Sequence, residues 1–417
     1  MTNYGGLLAT RFFLGLFECG MVPGCFYLLG MWYKRDEAQT RFTLFFASTA
    51  LAGAFGGLLA AGIGKMDDVV PGYSGWRWIF ILEGVLTCVV ALVFWFFFFP
   101  SFVEEAVCFL FYFSHHLSTS LPLSSGVDLP LQPPRSSLLT NLCGTQKWLT
   151  EEEREYVKAR LHADQGASAA ERAITLADIK KVMSDYKVWI GGLIYFALVV
   201  PAYGYAFFSP TIIQTYRYSP IETQLRSVPP YAAAFGFAMA VAVVSDTIRH
   251  RFLFVIGGML ISLTGLGMLY SIHDNVNTQY GALFLVAIGL YAAMPIAVCW
   301  FNMNLVGHHR RSIGIGWQIG FGNIGGIIST YSFLRDDAPL FKKGYIICIS
   351  FVCLGLISAA SYAAAVAWEN RKRDLAVGAV ELSEEEKTVL GVSAIQRKSS
   401  LVTDTSQDLN PEFRYMM

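Results

Sequence analysis

Charged residues are scarce in this chain of 417 residues. Asp, Glu, Lys and Arg make up 15% of it, against about 25% in a soluble domain, while 54% of the residues are hydrophobic. A chain this apolar is not predicted to be a water-soluble globular protein. Its basic and acidic residues balance at 31 each, so no excess of positive charge indicates a nucleic-acid partner.

Patterns that mark disulfide frameworks, metal sites or hydrolytic sites are also missing. The eight Cys stand apart without a CxxC pair or metal-ligand spacing, so we interpret them as small buried hydrophobic residues. No Ser/His/Asp set and no paired carboxylates can be assembled from the polar residues. We therefore predict no cofactor and no metal, and we predict that the protein is not an enzyme.

Long apolar runs are what the chain has in abundance. A membrane-spanning helix needs about 20 mostly apolar residues, and nine stretches meet or approach this length: 4–31, 43–63, 78–100, 188–213, 230–244, 252–272, 282–306, 313–333 and 345–368. We predict an all-α, multi-pass transmembrane bundle that is integral to a lipid bilayer. The first run is too long for a cleavable signal peptide.

Two glycine-rich stretches lie inside these runs, at 51–62 (LAGAFGGLLAAG) and 313–326 (IGIGWQIGFGNIGG). Small residues let helix backbones approach closely in lipid. Neither stretch is followed by the Lys-Ser/Thr of a phosphate-binding loop. We therefore predict that they are packing surfaces rather than nucleotide sites.

The segment 147–187 is rich in Lys and Arg and is predicted to form cytoplasmic helices. Thr150 with Glu153, and Thr175 with Asp178, have the spacing of a capping box, in which the two side chains satisfy free backbone N–H groups at a helix start. With this segment in the cytoplasm, the remaining short loops carry seven Lys or Arg on each side. The orientation therefore depends on this segment and the basic tail alone.

Eight polar or amphipathic residues in or near the apolar runs are the candidate functional residues: Arg11, Glu18, Glu83, Trp300, Asn302, Asn304, Gln318 and Asn323. Charged groups at bilayer depth are unfavourable and usually functional. Arg11 and Glu18 are seven residues apart and therefore share one helix face, so we favour a functional role for a buried pair. For Glu83 and the amides, interfacial anchoring or helix–helix hydrogen bonding is an open alternative.

Several phrases resemble one family: GLLATRFFLGLFECGMVPGCFYLLGMWYKRDE (6–37), AGAFGGLLAAGI (52–63), GWRWIFILEG (75–84), SVPPYAAAF (227–235), GFGNIGGII (320–328) and NPEFRY (410–415). They resemble the fungal allantoate-permease branch of the anion:cation symporters, within the major facilitator superfamily. The resemblance implies a secondary active transporter that moves a small organic anion, allantoate-, nicotinate- or vitamin-like, together with protons by alternating access. The plasma membrane is the expected location.

The resemblance also implies roles for individual residues. RFFLG, which begins at Arg11, resembles the Arg-x-x-x-Gly motif that the superfamily uses near proton transfer, and Glu18 falls at the proton-coupling position. SDTIRHR (245–251) is a weaker counterpart of the superfamily's signature loop. Arg11, Glu18 and Glu83 are thus the expected proton-coupling or substrate-binding charges.

The family has twelve helices in two bundles of six, and this chain matches the last nine. We expect a partial N-terminal bundle in 1–100, a cytoplasmic linker in 101–186, a six-helix bundle in 187–368 and a cytoplasmic tail in 369–417. The alternative to a transporter is a truncated, transport-inactive membrane protein, acting as a sensor or decoy or arising from an incomplete gene model.

Residues 107–146 have neither a helical nor a strand period. Their removal leaves FFPSFVEEAKWLTEEEREYVKARL, which is family-like throughout, and the removed piece is in frame. We hypothesise that these residues are a retained intron. The alternative is a variable loop of low complexity.

Overall fold

The computed structural model describes residues 4–33, 38–63, 75–98, 174–214, 216, 218–273, 275–305, 307–333, 337, 340–390 and 415–416. Within these ranges all regular structure is helical, which confirms the predicted fold class. The predicted insert 107–146 and the capping box at Thr150 lie outside the described residues, as do Cys108 and Cys143.

Twelve helices occupy the described residues: α1 Tyr4–Glu18, α2 Met21–Trp32, α3 Ala38–Ile63, α4 Gly75–Phe98, α5 Leu176–Met183, α6 Tyr186–Gln214, α7 Pro220–Ile248, α8 Arg251–Ser271, α9 Val276–Met303, α10 His308–Asn323, α11 Gly325–Thr330 and α12 Lys342–Leu390. Six helical stretches of the described chain are long and apolar enough to cross a bilayer: Tyr4–Gly30, Tyr186–Gln214, Glu222–Ile248, Arg251–Ser271, Val276–Met303 and Lys342–Leu375. All six overlap predicted spans, and the other three predicted spans are helical as well.

The chain forms two compact units. One comprises Met1–Ala61 together with Ile174–Met417, and the other comprises Gly62–Ala173. The first unit contains α1, α2, most of α3 and all helices from α5 onward, and among the described residues the second contains α4. The interactions below all lie within the first unit.

The helix starts follow from local chemistry. At α5 the predicted capping box is confirmed, because Thr175 accepts from the Asp178 backbone while the Asp178 carboxylate accepts from the Thr175 backbone. At α7 the Ser219 hydroxyl caps the Glu222 backbone N–H, and Pro220 fits the first turn, where its missing N–H has no helical acceptor.

Two predicted spans are each divided into two helices. The stretch 4–31 breaks at Cys19 and Gly20, because the ring of Pro23 disfavours a helical carbonyl four residues earlier. The stretch 313–333 breaks at Ile324 inside GNIGG, where glycines lower helix propensity. Both interruptions are caused by Pro or Gly residues, which a count of apolar residues does not detect.

Close backbone contacts explain part of the glycine content. A Cβ on Gly289 of α9 would lie 2.5 Å from the carbonyl oxygen of Gly258 in α8, so these helices can meet only through glycine. In 313–326, Gly322 and Gly325 face Tyr195 and Val200 of α6, which confirms that stretch as a packing surface.

The core is centred on α9, in which residues 292–303 are all buried. A second contact forms between α2 and α3, where Phe26 is fully buried and stacks on Phe42 and Phe46 with ring centroids 5.2 and 5.4 Å away. This packing holds the end of α2 against α3. Both elements then present polar groups to the helices that follow α5.

Candidate functional site

A buried polar network joins α3 to α7 and α8. Asp246 Oδ2 accepts from the backbone N–H and the hydroxyl of Thr40, at 2.9 and 2.6 Å, in the first turn of α3. The free N–H groups of a helix start favour such a carboxylate. Arg251, which is 1% exposed, has Nη2 3.6 Å from Asp246 Oδ1 and donates from Nη1 to Gln39 Oε1 at 2.7 Å. The SDTIRHR stretch is therefore the centre of a helix junction.

A second junction joins α2 to α9 and α10. Asn302 Nδ2 donates to the Phe26 carbonyl at 2.9 Å. Arg311, also buried, donates from Nη1 to the Gly30 carbonyl at 2.6 Å. Both acceptors lie in the last two turns of α2. We call the part of the molecule that holds this junction and the Asp246 network the α5 end.

A residue larger than Gly30 would clash at this junction unless Asn302 moved. A Cβ on Gly30 would lie 2.7 Å from Asn302 Oδ1, well inside normal contact distance. The Asn302 amide is fully buried, and its oxygen has no hydrogen-bond partner among the described residues. Asn302, predicted as a substrate or coupling residue, therefore has an observed role as a helix–helix contact.

Gln318 and Asn323 differ in their surroundings. Gln318 is fully buried on α10 and donates from Nε2 to the Gly191 carbonyl of α6 at 3.3 Å, while its Oε1 has no hydrogen-bond partner among the described residues. Asn323 is exposed at the end of α10, where its Oδ1 accepts from the Tyr203 hydroxyl at 3.3 Å. Asn323 is thus the more accessible of these two candidates.

A tyrosine cluster in the interior was not predicted from the sequence. Tyr231 of α7 packs edge-on against Tyr205 of α6 and Tyr291 of α9, with ring centroids 5.4 and 5.7 Å away. The fully buried Ser209 hydroxyl lies beside Tyr231, without a close hydrogen bond to it or to any other described residue. Gly53 of α3 faces the Tyr231 ring, since a Cβ there would lie 3.0 Å from it. Single Tyr in apolar runs resemble ordinary core residues, so no sequence signal marked this cluster.

The structure places the three charged candidates outside the buried regions. Arg11 and Glu18 are both exposed, and α1 has no buried residue. No described helix encloses the face of α1 that carries them, and their pairing at bilayer depth stays a prediction. Glu83 is also exposed, on α4 in the other unit.

Trp300 and Asn304 contact the chain's own tail. Trp300 Nε1 donates to the Met416 carbonyl at 2.9 Å. Asn304 Oδ1 accepts from the Met416 backbone N–H at 2.8 Å, and its Nδ2 donates to the Met416 carbonyl at 3.1 Å. The polar groups of both side chains therefore bind the backbone of Met416, a partner that the sequence pattern does not indicate.

The described residues contain no group of three or more His, Cys, Asp or Glu that could hold a metal ion. The six Cys in the described ranges are free thiols: Cys19, Cys25, Cys88, Cys299, Cys348 and Cys353.

Comparison with known proteins supplies the family. Residues 1–330 match the model of the Major Facilitator Superfamily. The chain belongs to the Major Facilitator Superfamily. This agrees with the predicted transporter class rather than an enzyme, and with an integral membrane protein. The narrower allantoate-permease branch stays a prediction.

Relatives in fungi carry the same family description. The chain is 28% identical over 398 residues to the MFS-type transporter cnsO of Penicillium expansum, covering 93% of this chain and 68% of that protein. It is 30% identical over 345 residues to the MFS transporter prlL of a fungal strain, covering 82% and 60%. It is 28% identical over 420 residues to the major facilitator-type transporter hxnP of Emericella nidulans, covering 100% and 73%. The chain thus spans between 60 and 73% of the length of these relatives.

A crystal structure of the E. coli fucose:proton symporter matches with a TM-score of 0.41 and 12% identity, over 86% of this chain and 94% of that one. A likeness at that level is too weak to support an inference about the fold or the solute of this major facilitator protein.

Proposed function

We propose that this major facilitator protein is a secondary active transporter that moves a small organic anion together with protons by alternating access. Three observations support the proposal. The chain belongs to the superfamily, its fungal relatives are named as transporters, and buried polar junctions join helices from both ends of the chain. The junctions carry the most weight, because alternating access needs contacts that form in one state and break in another.

The α5 end fits the role of a gate. Separating α3 from α7 and α8 would break the Asp246–Thr40 and Arg251–Gln39 hydrogen bonds. Hydrogen bonds to charged groups contribute about 1.5–3 kcal/mol each. That is enough to hold one state closed and small enough for binding energy to offset.

The interior of the later helices fits a neutral part of a solute site. In α6 to α11 of the described chain, every Lys and Arg lies within about two turns of a helix end. Tyr231 and Ser209 in this interior, together with Asn323 at the exposed end of α10, therefore offer hydroxyl and amide groups without a cation. These groups suit the polar, uncharged portion of an organic anion.

The cationic part of the site is proposed to be Arg11, with Glu18 as the coupling carboxylate. Their support is the resemblance of RFFLG to the family motif and their shared helix face. Because an anion and a carboxylate compete for one Arg, protonation of Glu18 would favour anion binding. Trp300 and Asn304, by contrast, are proposed to be structural, since both bind Met416.

The domain plan remains our proposal: a partial bundle in 1–100, a linker in 101–186, a six-helix bundle in 187–368 and a tail in 369–417. The α5 end faces the cytoplasm in this plan because the segment 147–187 is basic, and the plasma membrane is the proposed location. The retained-intron hypothesis for 107–146 is tested by amplifying cDNA across codons 100–155. The major product should lack the 40 codons of that segment, and a single product of genomic length under all growth conditions would contradict the hypothesis.

Uptake by cells that express the cDNA cloned from native mRNA tests the transport proposal. We expect saturable uptake of at least one labelled anion from a panel that includes allantoate and nicotinate. Acid outside should stimulate it and a protonophore should abolish accumulation. A well-expressed protein that takes up no anion of the panel at any pH gradient would instead support the transport-inactive alternative.

A further inference from the structure

Residues 415–416, the docked segment, bind at the α5 end through two asparagines that act alike. Asn370 of α12 accepts from the Tyr415 backbone N–H at 2.8 Å and donates to the Tyr415 carbonyl at 2.9 Å. Asn304, at the end of α9, pairs with both backbone groups of Met416. One amide side chain thus satisfies both backbone groups of each residue, which requires an extended peptide. The docked segment is therefore held through its backbone.

The Tyr415 side chain lies against two cations, each of which is also paired with a carboxylate: Lys187 with Asp185, and Arg373 with Glu369. Its ring lies between Lys187 of α6, with Nζ 4.6 Å from the centroid, and Arg373 of α12, with Cζ 5.0 Å away. Its hydroxyl accepts from Lys187 Nζ at 3.3 Å and from Arg373 Nη2 at 3.4 Å. The side chain is 7% exposed. Cation–π contacts and charge-assisted hydrogen bonds together favour a phenol at this position.

The same helix end also holds α2. Trp300 and Asn304 bind Met416, and Asn302 between them binds the Phe26 carbonyl of α2. A single turn of α9 therefore contacts the docked segment on one side and an early helix on the other. Any shift of this turn on loss of the docked segment acts directly on the Asn302–Phe26 bond.

We propose that the docked segment is an intramolecular latch that ties α6, α9 and α12 together and keeps the end of α9 seated on α2. Its release favours the conformation that is open at the α5 end. The occupant is the chain's own tyrosine-containing tail, because that segment is seated at the α5 end with every polar group named above paired. The role of this opening in transport rests on the proposed function. Docking of the segment and opening of the α5 end can be measured without transport.

Two native cysteines report on the latch. Cys25 is half-buried on α2 and precedes Phe26, so opening of the α2–α9 junction should expose it. Cys348 is buried on α12 beside Gly204 and reports on the fold as a whole. Full-length protein in isolated membranes is alkylated with N-ethylmaleimide, and the rate at each cysteine is read by mass spectrometry of its peptide.

The Tyr415→Ala variant should raise the alkylation rate of Cys25 by about tenfold, the effect of one strong contact, and leave that of Cys348 unchanged. Tyr415→Phe keeps the ring and loses the hydroxyl, so a smaller increase is expected. Lys372→Ala is the matched control, since it removes an exposed cation from the same part of α12 and should change neither rate.

Two results would overturn the latch. One is an unchanged Cys25 rate in Tyr415→Ala, and the other is an equal rise at Cys25 and Cys348, which would show that the segment supports the fold only. Failure of the transport proposal is distinguishable from these two results. If uptake is absent but Tyr415→Ala still raises the alkylation rate of Cys25, the latch is supported and the transport proposal is not.

Discussion

The α5 end and the interior of this molecule hold different kinds of buried polar group. At the α5 end Asp246, Arg251 and Arg311 each meet a charged, amide or backbone partner from a distant helix. In the interior the buried polar side chains are neutral, and they include Ser209 beside Tyr231, and Gln318. The paired charges hold helices together, whereas the neutral groups are the ones that we propose for the solute site. The difference separates the proposed gate from the proposed solute site.

The largest expected effect comes from a charge that belongs to neither region. Glu18→Gln should abolish proton-driven accumulation, because glutamine cannot release a proton, while counterflow exchange of the anion is partly kept. Uptake with and without a pH gradient, together with counterflow in preloaded vesicles, measures both. Normal pH-driven accumulation by a well-expressed variant would exclude Glu18 as the coupling carboxylate and make Glu83 the next candidate.

Removing a cation from the gate should have the next largest effect. Arg251→Met removes one partner of the nearly buried Asp246 carboxylate. Loss of one partner of a buried ion pair lowers the free energy of unfolding by about 3 kcal/mol, and we expect a loss of that size here. Thermal unfolding of the detergent-solubilised protein measures this. Arg371→Met, which removes an exposed Arg from α12, is the control and should unfold close to the parent temperature. Equal unfolding temperatures for both variants would contradict the gate.

Hydrophobic patterning predicts the helices of this protein but not their junctions. The apolar runs and the Thr175 capping box depend on neighbours within one or two turns, so they are visible in the sequence. The glycine content of 313–326 is visible too, although its partners on α6 are not. Thr40 and Asp246 are 206 residues apart, and no local period connects them. The sequence therefore indicates which polar residues lie in apolar runs, but not which residues they contact.

The outcome for individual candidates shows the same limit. Asn302 and Asn304 are two residues apart in the sequence, yet one binds α2 and the other binds the tail. Burial, too, depends on which helices surround a face, and Arg11 and Glu18 are exposed because α1 packs no residue into the core. Partner identity and enclosure are properties of the tertiary structure, which one sequence does not state.

A glycine pair in α2 sharpens the description of the α5 end. Gly30→Ala should destabilise the protein by about 2 kcal/mol, because its Cβ would overlap the Asn302 amide and overpacking a filled site costs 1–3 kcal/mol. Gly24→Ala on the same helix meets nothing within 4 Å and should stabilise it by about 0.5–1 kcal/mol through helix propensity. Opposite shifts in unfolding temperature are the expected result. Shifts of the same sign would show that the α2–α9 junction is looser than described.

The smallest effect on stability is expected in the interior, where it should separate binding from folding. Ser209→Ala removes a buried hydroxyl that makes no close hydrogen bond and lies beside Tyr231, so the stability should change by no more than about 0.5 kcal/mol. The KM for the anion should nevertheless increase, because the solute loses a hydrogen-bonding group. Ser358→Ala is the matched control, since that buried hydroxyl already donates to the Leu354 carbonyl at 2.7 Å and should leave KM unchanged. Equal KM values for Ser209→Ala and the parent protein would place the solute elsewhere and remove the contrast between the α5 end and the interior.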